Sequence, residues 1–353
     1  MSILFAILLF SLLIFVHELG HFIAAKSFGV QVNEFSMFMG PALFKKQVGE
    51  TLYSIRCIPI GGYCAMEGED GDSDNPRAFG AAAWWKRLII LAAGAFMNFV
   101  AGLLLLLVVM LPTQQFIVPV IEQAEPGCSI VREDGLHIGD RFLEVDGEKI
   151  YLQSNFSMIL SLNGGDVHDI VVERNGEKVV LNDFYMEKHE FAKPDGTTSM
   201  RYGFSFGLQD ATLSDKLANV WYNAIDNVRM VRLSLQMLFT GKVGVNEMSG
   251  PVGIVQQMGQ VADASGSTFA AIMNMLYFGA FIAINLAVMN LLPIPALDGG
   301  RIASLAITAA IEAVIRKKLD PKYEGYVHAA GMVLLLGLMA LIMFKDIFTI
   351  VKG

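Results

Sequence analysis

Four stretches of this sequence, near residues 2–25, 88–111, 269–292 and 328–349, are runs of almost uninterrupted apolar side chains. Each is about as long as a helix must be to cross the hydrocarbon core of a bilayer, roughly 20 residues. A chain in lipid has to satisfy its backbone N–H and C=O groups internally, which leaves such runs little choice but the helix. The composition agrees, with 54% hydrophobic and 17% charged residues against about 25% charged in an average soluble protein. A cleaved signal peptide opens with a positively charged region. The first run instead has no Lys or Arg before Lys26, so a retained helix is expected. A formal net charge of −8 and the lack of a basic tract argue against nucleic acid as a partner. Cys57, Cys64 and Cys128 form no zinc or disulfide spacing and read as reduced thiols.

Basic residues in short loops favour the cytoplasm. Lys26, Lys45, Lys46, Arg56, Arg77, Lys86 and Arg87 lie between the first two runs, and Arg301, Arg316, Lys317, Lys318 and Lys322 between the last two. Both loops are therefore expected inside and both termini outside. The expected fold class is a polytopic α-helical membrane protein with four transmembrane helices, a membrane-associated β-hairpin region and an inserted extracytoplasmic β-rich domain. Its expected parts are 1–111, with the hairpins at about 35–66; 112–210, the β-rich domain; 211–268, a surface helix and loop; and 269–353. In 112–210, "DRFLEVDGEKI" and "DIVVERNGEKVVL" alternate apolar and polar residues about Asp146-Gly147 and Asn175-Gly176, a type I′ hairpin signal. "QSNFSMILSLN" between them suits a short helix. Leu217, Val220, Trp221, Ile225, Val228, Val231, Leu235 and Leu238 follow helical spacing, either on the membrane surface or in a soluble core. "GKVGVNEMSGPVGI" and "ADASGS" read as loops, and the segment 295–327 as a cytoplasmic loop.

Three ionisable residues sit inside the first apolar run, in "FVHELGHFIA". Each is costly there, and such residues are functional by default. His17 and His21 are four apart and project about 40° apart on a helix, with Glu18 on the adjacent flank. This is the His-Glu-x-x-His geometry in which two imidazoles bind zinc and the glutamate serves as general base. A chance match, with buried histidines simply hydrogen-bonded, is the plain alternative. A hydrolytic site needs one more ligand and a place for water. Asp298 suits this best, because Pro293 and Pro295 break the helix just before it. Glu312 and Asp320 lie among basic residues.

Taken together, HELGH at 17–21, "PIGGYCAM" at 59–66, "AAGAFMNF" at 92–99, "MSGPVGI" at 248–254 and "NLAVMNLLPIPALDGG" at 285–300 resemble the site-2 proteases. These are intramembrane zinc metalloproteases, and the resemblance is to the bacterial regulator-of-sigma-E protease group. It implies a Zn2+ ion on His17, His21 and Asp298, with Glu18 as general base. It also implies catalytic or substrate contact by Asn290 and Asn285, along with Pro293 and Pro295. Interhelical hydrogen bonding is the alternative for both asparagines and the preferred reading for Asn98. The β-rich segment 35–66 would re-enter the membrane and pair with an unwound substrate. "MFMGP" and Ala95 in "GAFMN" depart from the group's pattern and bear on substrate positioning rather than on the metal.

The outer domain resembles a single PDZ domain, most clearly in "AEPGCSIVREDGLHIGDRFLEVDGEKI", and would act as a size filter. The expected function is intramembrane cleavage, in the bacterial plasma membrane, of single-pass proteins such as trimmed anti-sigma factors or remnant signal peptides. The active site would lie towards the cytoplasmic side. The alternatives are a catalytically inactive PDZ-bearing receptor or adaptor, which the intact Glu18 opposes, and a cation transporter, for which four spans carry too few acids. The oligomeric state is left open.

Overall fold

The computed structural model describes all residues except Met1, Asp70, Asp72, 193–196, 242–243, 245–249, 317–321 and Gly353. The chain forms two compact units, Met1–Val109 with Asn227–Gly353, and Met110–Asp226. Helix α1 (Ser2–Ser27) holds HELGH in its second half. It stops at Gly29, whose φ of +80° is the left-handed conformation that ends many helices. Strands β1 (Val32–Val48) and β2 (Thr51–Met66) then fold back on each other more than once. Phe35 pairs with both Cys64 and Tyr53, and Met37 with both Gly62 and Ile55, whereas Val48 pairs with Thr51 across the turn. The stretch around Phe35 is thus an inner strand, flanked on either side by parts of β2. Val32, Phe35, Cys64 and Met66 form one buried cluster with Ala25, Ile90 and Leu91. Arg56 ties the layers together, donating to Glu34 Oε1 (2.7 Å), Gly40 O (2.6 Å) and Ser36 Oγ (3.1 Å). The far end of the hairpin exposes Leu43 and Phe44, which lipid tolerates and water does not. A single 3-10 turn precedes α2 (Trp84–Met110).

The second unit contains β3 (Gln115–Ala124), β4 (Arg141–Val145), β5 (Glu148–Lys149), α3 (Gln153–Asn163), β6 (Val167–Arg174), β7 (Glu177–Tyr185), β8 (His189–Ala192), β9 (Thr198–Arg201) and β10 (Phe204–Asp210). The sheet order is β10-β3-β4-β6-β7, with β5 on β4 and a separate β8-β9 ribbon. Both expected hairpin turns carry the positive φ that type I′ demands: Asp146 +50° with Gly147 +78°, and Asn175 +52° with Gly176 +84°. The inward residues of the alternating strands, Phe142, Val145, Ile170 and Val172, pack with Phe156 and Ile159 of α3. A fully buried Asp140 is matched by Arg174, which donates to both carboxylate oxygens (2.8 and 2.7 Å), and by the His137 N–H.

The chain continues through α4 (Leu213–Phe239), α5 (Pro251–Asp263), α6 (Thr268–Asn290), α7 (Asp298–Ile315) and α8 (Lys322–Lys352). Two of these correct the sequence reading. Residues 251–263 are a helix rather than loop. Pro251 stands where a missing N–H costs nothing, and Asp346 of α8 accepts the Gly250 and Gly253 N–H groups at 2.9 Å each. The segment after "PIPAL" is likewise a helix, α7. Its opening Asp-Gly-Gly resembles a loop, but Asp298 in the first turn is the acid that a helix N-terminus favours. Met248, Ser249, Lys317, Lys318 and Asp320 lie outside the described residues. Helix α6 is capped by Ser267, whose Oγ accepts the Ala270 N–H. Among the described residues four helical stretches are long and apolar enough to cross a membrane: Leu4–Ser27, Trp84–Met110, Thr268–Asn290 and Gly325–Phe348. They fall within a few residues of the runs read from sequence, and the chain is a multi-pass membrane protein with an additional β-rich unit.

Candidate metal centre

The site lies within the first unit, where α1, α2, α6 and α7 supply its side chains. One helical turn separates His17 from His21, and their rings stand 4.7 Å apart at 84°. Helix α6 ends at Asn290 and α7 begins with Asp298. Between them Pro293 and Pro295 contribute no N–H, so the helix cannot run on. A Cβ at Gly299 would lie 2.2 Å from Leu292 O, and one at Gly300 2.2 Å from Ile294 O. Only glycine lets α7 start so tightly against the turn. Ala296 within that turn has φ of +84° and donates its N–H to His328 Nδ1 of α8 (3.2 Å).

These elements bring together three atoms from opposite ends of the chain. His17 Nε2 and His21 Nε2 are 3.2 Å apart, and Asp298 Oδ2 is 3.2 Å from the first and 3.4 Å from the second. Zinc held tetrahedrally at about 2.0–2.1 Å places its ligands about 3.3–3.4 Å from one another, and the triangle has that size. Among the described residues no other three His, Cys, Asp or Glu side chains converge in this way. Asp298 Oδ2 is buried without a hydrogen-bond partner, an arrangement costly to keep unless a cation completes it. The His21 Nδ1 faces Ile90 O at 2.8 Å. A carbonyl can only accept, so the imidazole proton is on Nδ1 and the Nε2 lone pair faces the triangle. The residues present therefore fit a zinc ion with three protein ligands and an open fourth position.

Two glycines make the approach of α2 to α1 possible. A Cβ at Gly20 would lie 2.4 Å from Ala93 O, and one at Gly94 2.4 Å from His21 Nε2. Glu18 is half-buried, and Gly62 of β2 backs onto it, with a Cβ there falling 3.5 Å from Glu18 Cγ. Glu69, just past β2, pairs with Arg301 of α7 and so ties the end of β2 to the helix that carries Asp298.

Of the residues picked out from sequence, His17, Glu18, His21, Asn290 and Asp298 come together here. Asn290 Nδ2 lies 3.4 Å from His17 Nδ1. Asn285 does not face the same way, since five residues turn a helix by about 140°. Pro293 is exposed and Pro295 half-buried, and a Cβ at Gly331 of α8 would lie 2.2 Å from Pro295 Cβ, so Pro295 serves packing of the turn. Sequence reasoning overlooked Gly94, and it took Asn98 for an interhelical hydrogen bond in general. The interhelical contact exists, and its partner is the His17 ring, with Asn98 Nδ2 3.4 Å from Nδ1. The four-residue spacing of Gly94 and Asn98 on one helix face was the signal available.

The profile of peptidase family M50 matches residues 5–338. A protein of Clostridium perfringens, provisionally named a zinc metalloprotease, is 37% identical over 351 residues, which is 98% of each chain. The zinc metalloprotease RasP of Geobacillus kaustophilus is 26% identical over 98% of this chain and 97% of its own. The regulator of sigma-W protease RasP of Bacillus subtilis is 26% identical over 97% of each. With the profile spanning nearly the whole sequence and relatives aligned end to end, the chain belongs to peptidase family M50 and is a zinc metalloprotease.

Proposed function

We propose that this metalloprotease cuts peptide bonds within the membrane-spanning segments of single-pass proteins in a bacterial plasma membrane. The observation that carries the reading is the triangle of His17, His21 and Asp298, assembled from helices apolar enough to lie in lipid. Bound zinc supplies Lewis acidity, lowering the pKa of water towards about 7. Glu18, beside the ligands on α1, takes the proton from the attacking water and returns it to the leaving amine. Asn290, next to His17, presents an uncharged donor to the carbonyl oxygen as negative charge develops. Asn285 and Pro293 contact the substrate farther from the scissile bond.

A transmembrane helix hides its peptide bonds and must unwind before it can be cut. The stretch of β2 around Gly62 has one face beside Glu18 and, among the described residues, pairs with β1 along one edge alone. Such an edge captures an unwound backbone by β-addition. The segment 35–66 is then the substrate clamp, and its exposed apolar tip rests in lipid.

The β-rich part at 112–210 is a PDZ-like domain outside the cell that keeps bulky substrates away until they are trimmed. Helix α4 lies along the outer membrane surface, whereas α5, whose Met258 is buried against Leu9, Leu13 and Met275 of α1 and α6, packs among the spans; the site opens towards the cytoplasm. Trimmed anti-sigma factors are the substrate class, supported by the Bacillus subtilis relative named for sigma-W regulation. Remnant signal peptides share the same chemistry.

The test uses detergent-purified protein and a model transmembrane peptide. Glu18→Gln is expected to lose cleavage by about 10²–10⁴-fold, the usual worth of a general base, while retaining zinc. Full activity of Glu18→Gln, or no cleavage of any membrane-segment peptide by the zinc-loaded native protein, would overturn the reading.

A further inference from the structure

Among the described residues, two carboxamides lie within hydrogen-bond reach of His17 Nδ1: those of Asn98 and Asn290, each with Nδ2 at 3.4 Å. If Nε2 of His17 binds the metal, the neutral ring carries its proton on Nδ1, and that proton needs an acceptor. An amide nitrogen cannot accept, whereas the oxygen at the other end of the same group can. One of the two carboxamides must therefore present its oxygen.

Asn98 is the better placed. It is 2% exposed, so water has little access to stand in for a missing partner. Its Oδ1 has no hydrogen bond holding it where it is, and a half-turn of the group exchanges nitrogen and oxygen with no other hydrogen bond broken. It stands on α2 one turn beyond Gly94, the bare position against which both imidazoles rest. Asn290 is half-buried, at the last residue of α6, where the helix breaks.

The structure assigns Asn98 a positioning role: its carboxamide oxygen accepts the Nδ1 proton of His17, orients Nε2 for the metal, and leaves the Asn290 amide free for the substrate. His21 receives the same service from Ile90 O, so α2 sets the tautomer of both imidazoles. This rests on zinc binding by His17 and assigns different work to the two asparagines.

The experiment measures zinc affinity by chelator competition, and the visible spectrum of the cobalt-substituted protein, for Asn98→Leu, Asn98→Asp and Asn290→Leu in detergent. Asn98→Leu keeps the shape without an acceptor and is expected to bind zinc about 10–100-fold more weakly, with an altered cobalt spectrum. Asn98→Asp presents oxygen at either end and is expected to hold zinc at least as tightly as the native chain, with the native spectrum. Asn290→Leu is expected to keep zinc and lose cleavage. Native affinity in Asn98→Leu overturns the assignment, and so does loss of zinc from a folded Asn98→Asp, which decides the matter even if the leucine variant does not fold. Zinc loss in Asn290→Leu with zinc retained in Asn98→Leu gives the acceptor role to Asn290. No zinc on the native protein would remove the metalloprotease itself, a failure distinct from the others.

Discussion

A Cβ at position 94 would lie 2.4 Å from His21 Nε2 and 2.7 Å from His17 Cε1, closer than non-bonded carbon and nitrogen can settle. The rings cannot swing aside without breaking the triangle or the bond from His21 to Ile90 O. Gly94→Ala is therefore expected to weaken zinc binding at least about tenfold, the scale on which disturbed support of a metal ligand is felt. Gly325→Ala, on α8 where nothing lies within 4 Å, is expected to leave it unchanged. Equal zinc affinity in the two variants would show that α2 does not press on the site. At this scale HELGH was readable because both histidines belong to one helix, whose period fixes their relation. Gly94 was not, because a glycine in an apolar helix has no chemistry of its own and acquires meaning only from the neighbour that fills its space.

Elements whose cause is local were the readable ones. The Asp146-Gly147 and Asn175-Gly176 hairpins formed where read, because positive φ at two successive residues is a property of those residues. Asp146 also carries a pH dependence. Burial alone would raise its pKa, but hydrogen bonds from Asn163 Nδ2 (2.9 Å), His168 Nδ1 (2.8 Å) and the Asp169 N–H (2.9 Å) outweigh it and hold the carboxyl below its ordinary value. A depressed carboxylate stabilises the fold fully above its unfolded pKa, about 3.9, and loses that contribution as pH falls towards the folded value. Asparagine tolerates the same left-handed turn, so Asp146→Asn keeps the backbone while removing the charge and one of the two acceptor oxygens. Hydrogen exchange of β4 and β6 amides is expected to be faster in Asp146→Asn than in the native chain at pH 7. The gap should narrow progressively as the pH falls below about 4. A gap of equal size at both pH values would refute the linkage. Helices α5 and α7 were misread because their starts, Gly-Pro and Asp-Gly-Gly, carry loop composition. What makes them helices is remote or packed: Asp346 of α8 capping one, and tight glycine contacts admitting the other.

For the whole molecule, the large apolar side chains left exposed on α8, such as Val333 and Leu334, are those a bilayer would cover. Basic residues cluster in two of the loops between the spans, and the positive-inside rule then predicts an outer-face second unit. A membrane-impermeant maleimide on intact cells is expected to label Lys178→Cys, exposed in the second unit, and not Arg316→Cys, exposed at the end of α7, once the native cysteines are replaced. The reverse pattern would invert the topology and move the metal site to the other side of the membrane.

The sequence by itself determined the four spans, the paired imidazoles and the hairpin turns, because each follows from residues within a few positions of one another. Only the tertiary structure decided that an aspartate near the end of the chain meets those imidazoles at ligand spacing. The same holds for which face of α2 supports them and which asparagine touches which nitrogen. These are distances between segments far apart in sequence, set by how closely backbones approach, and no local pattern of residues encodes such a distance.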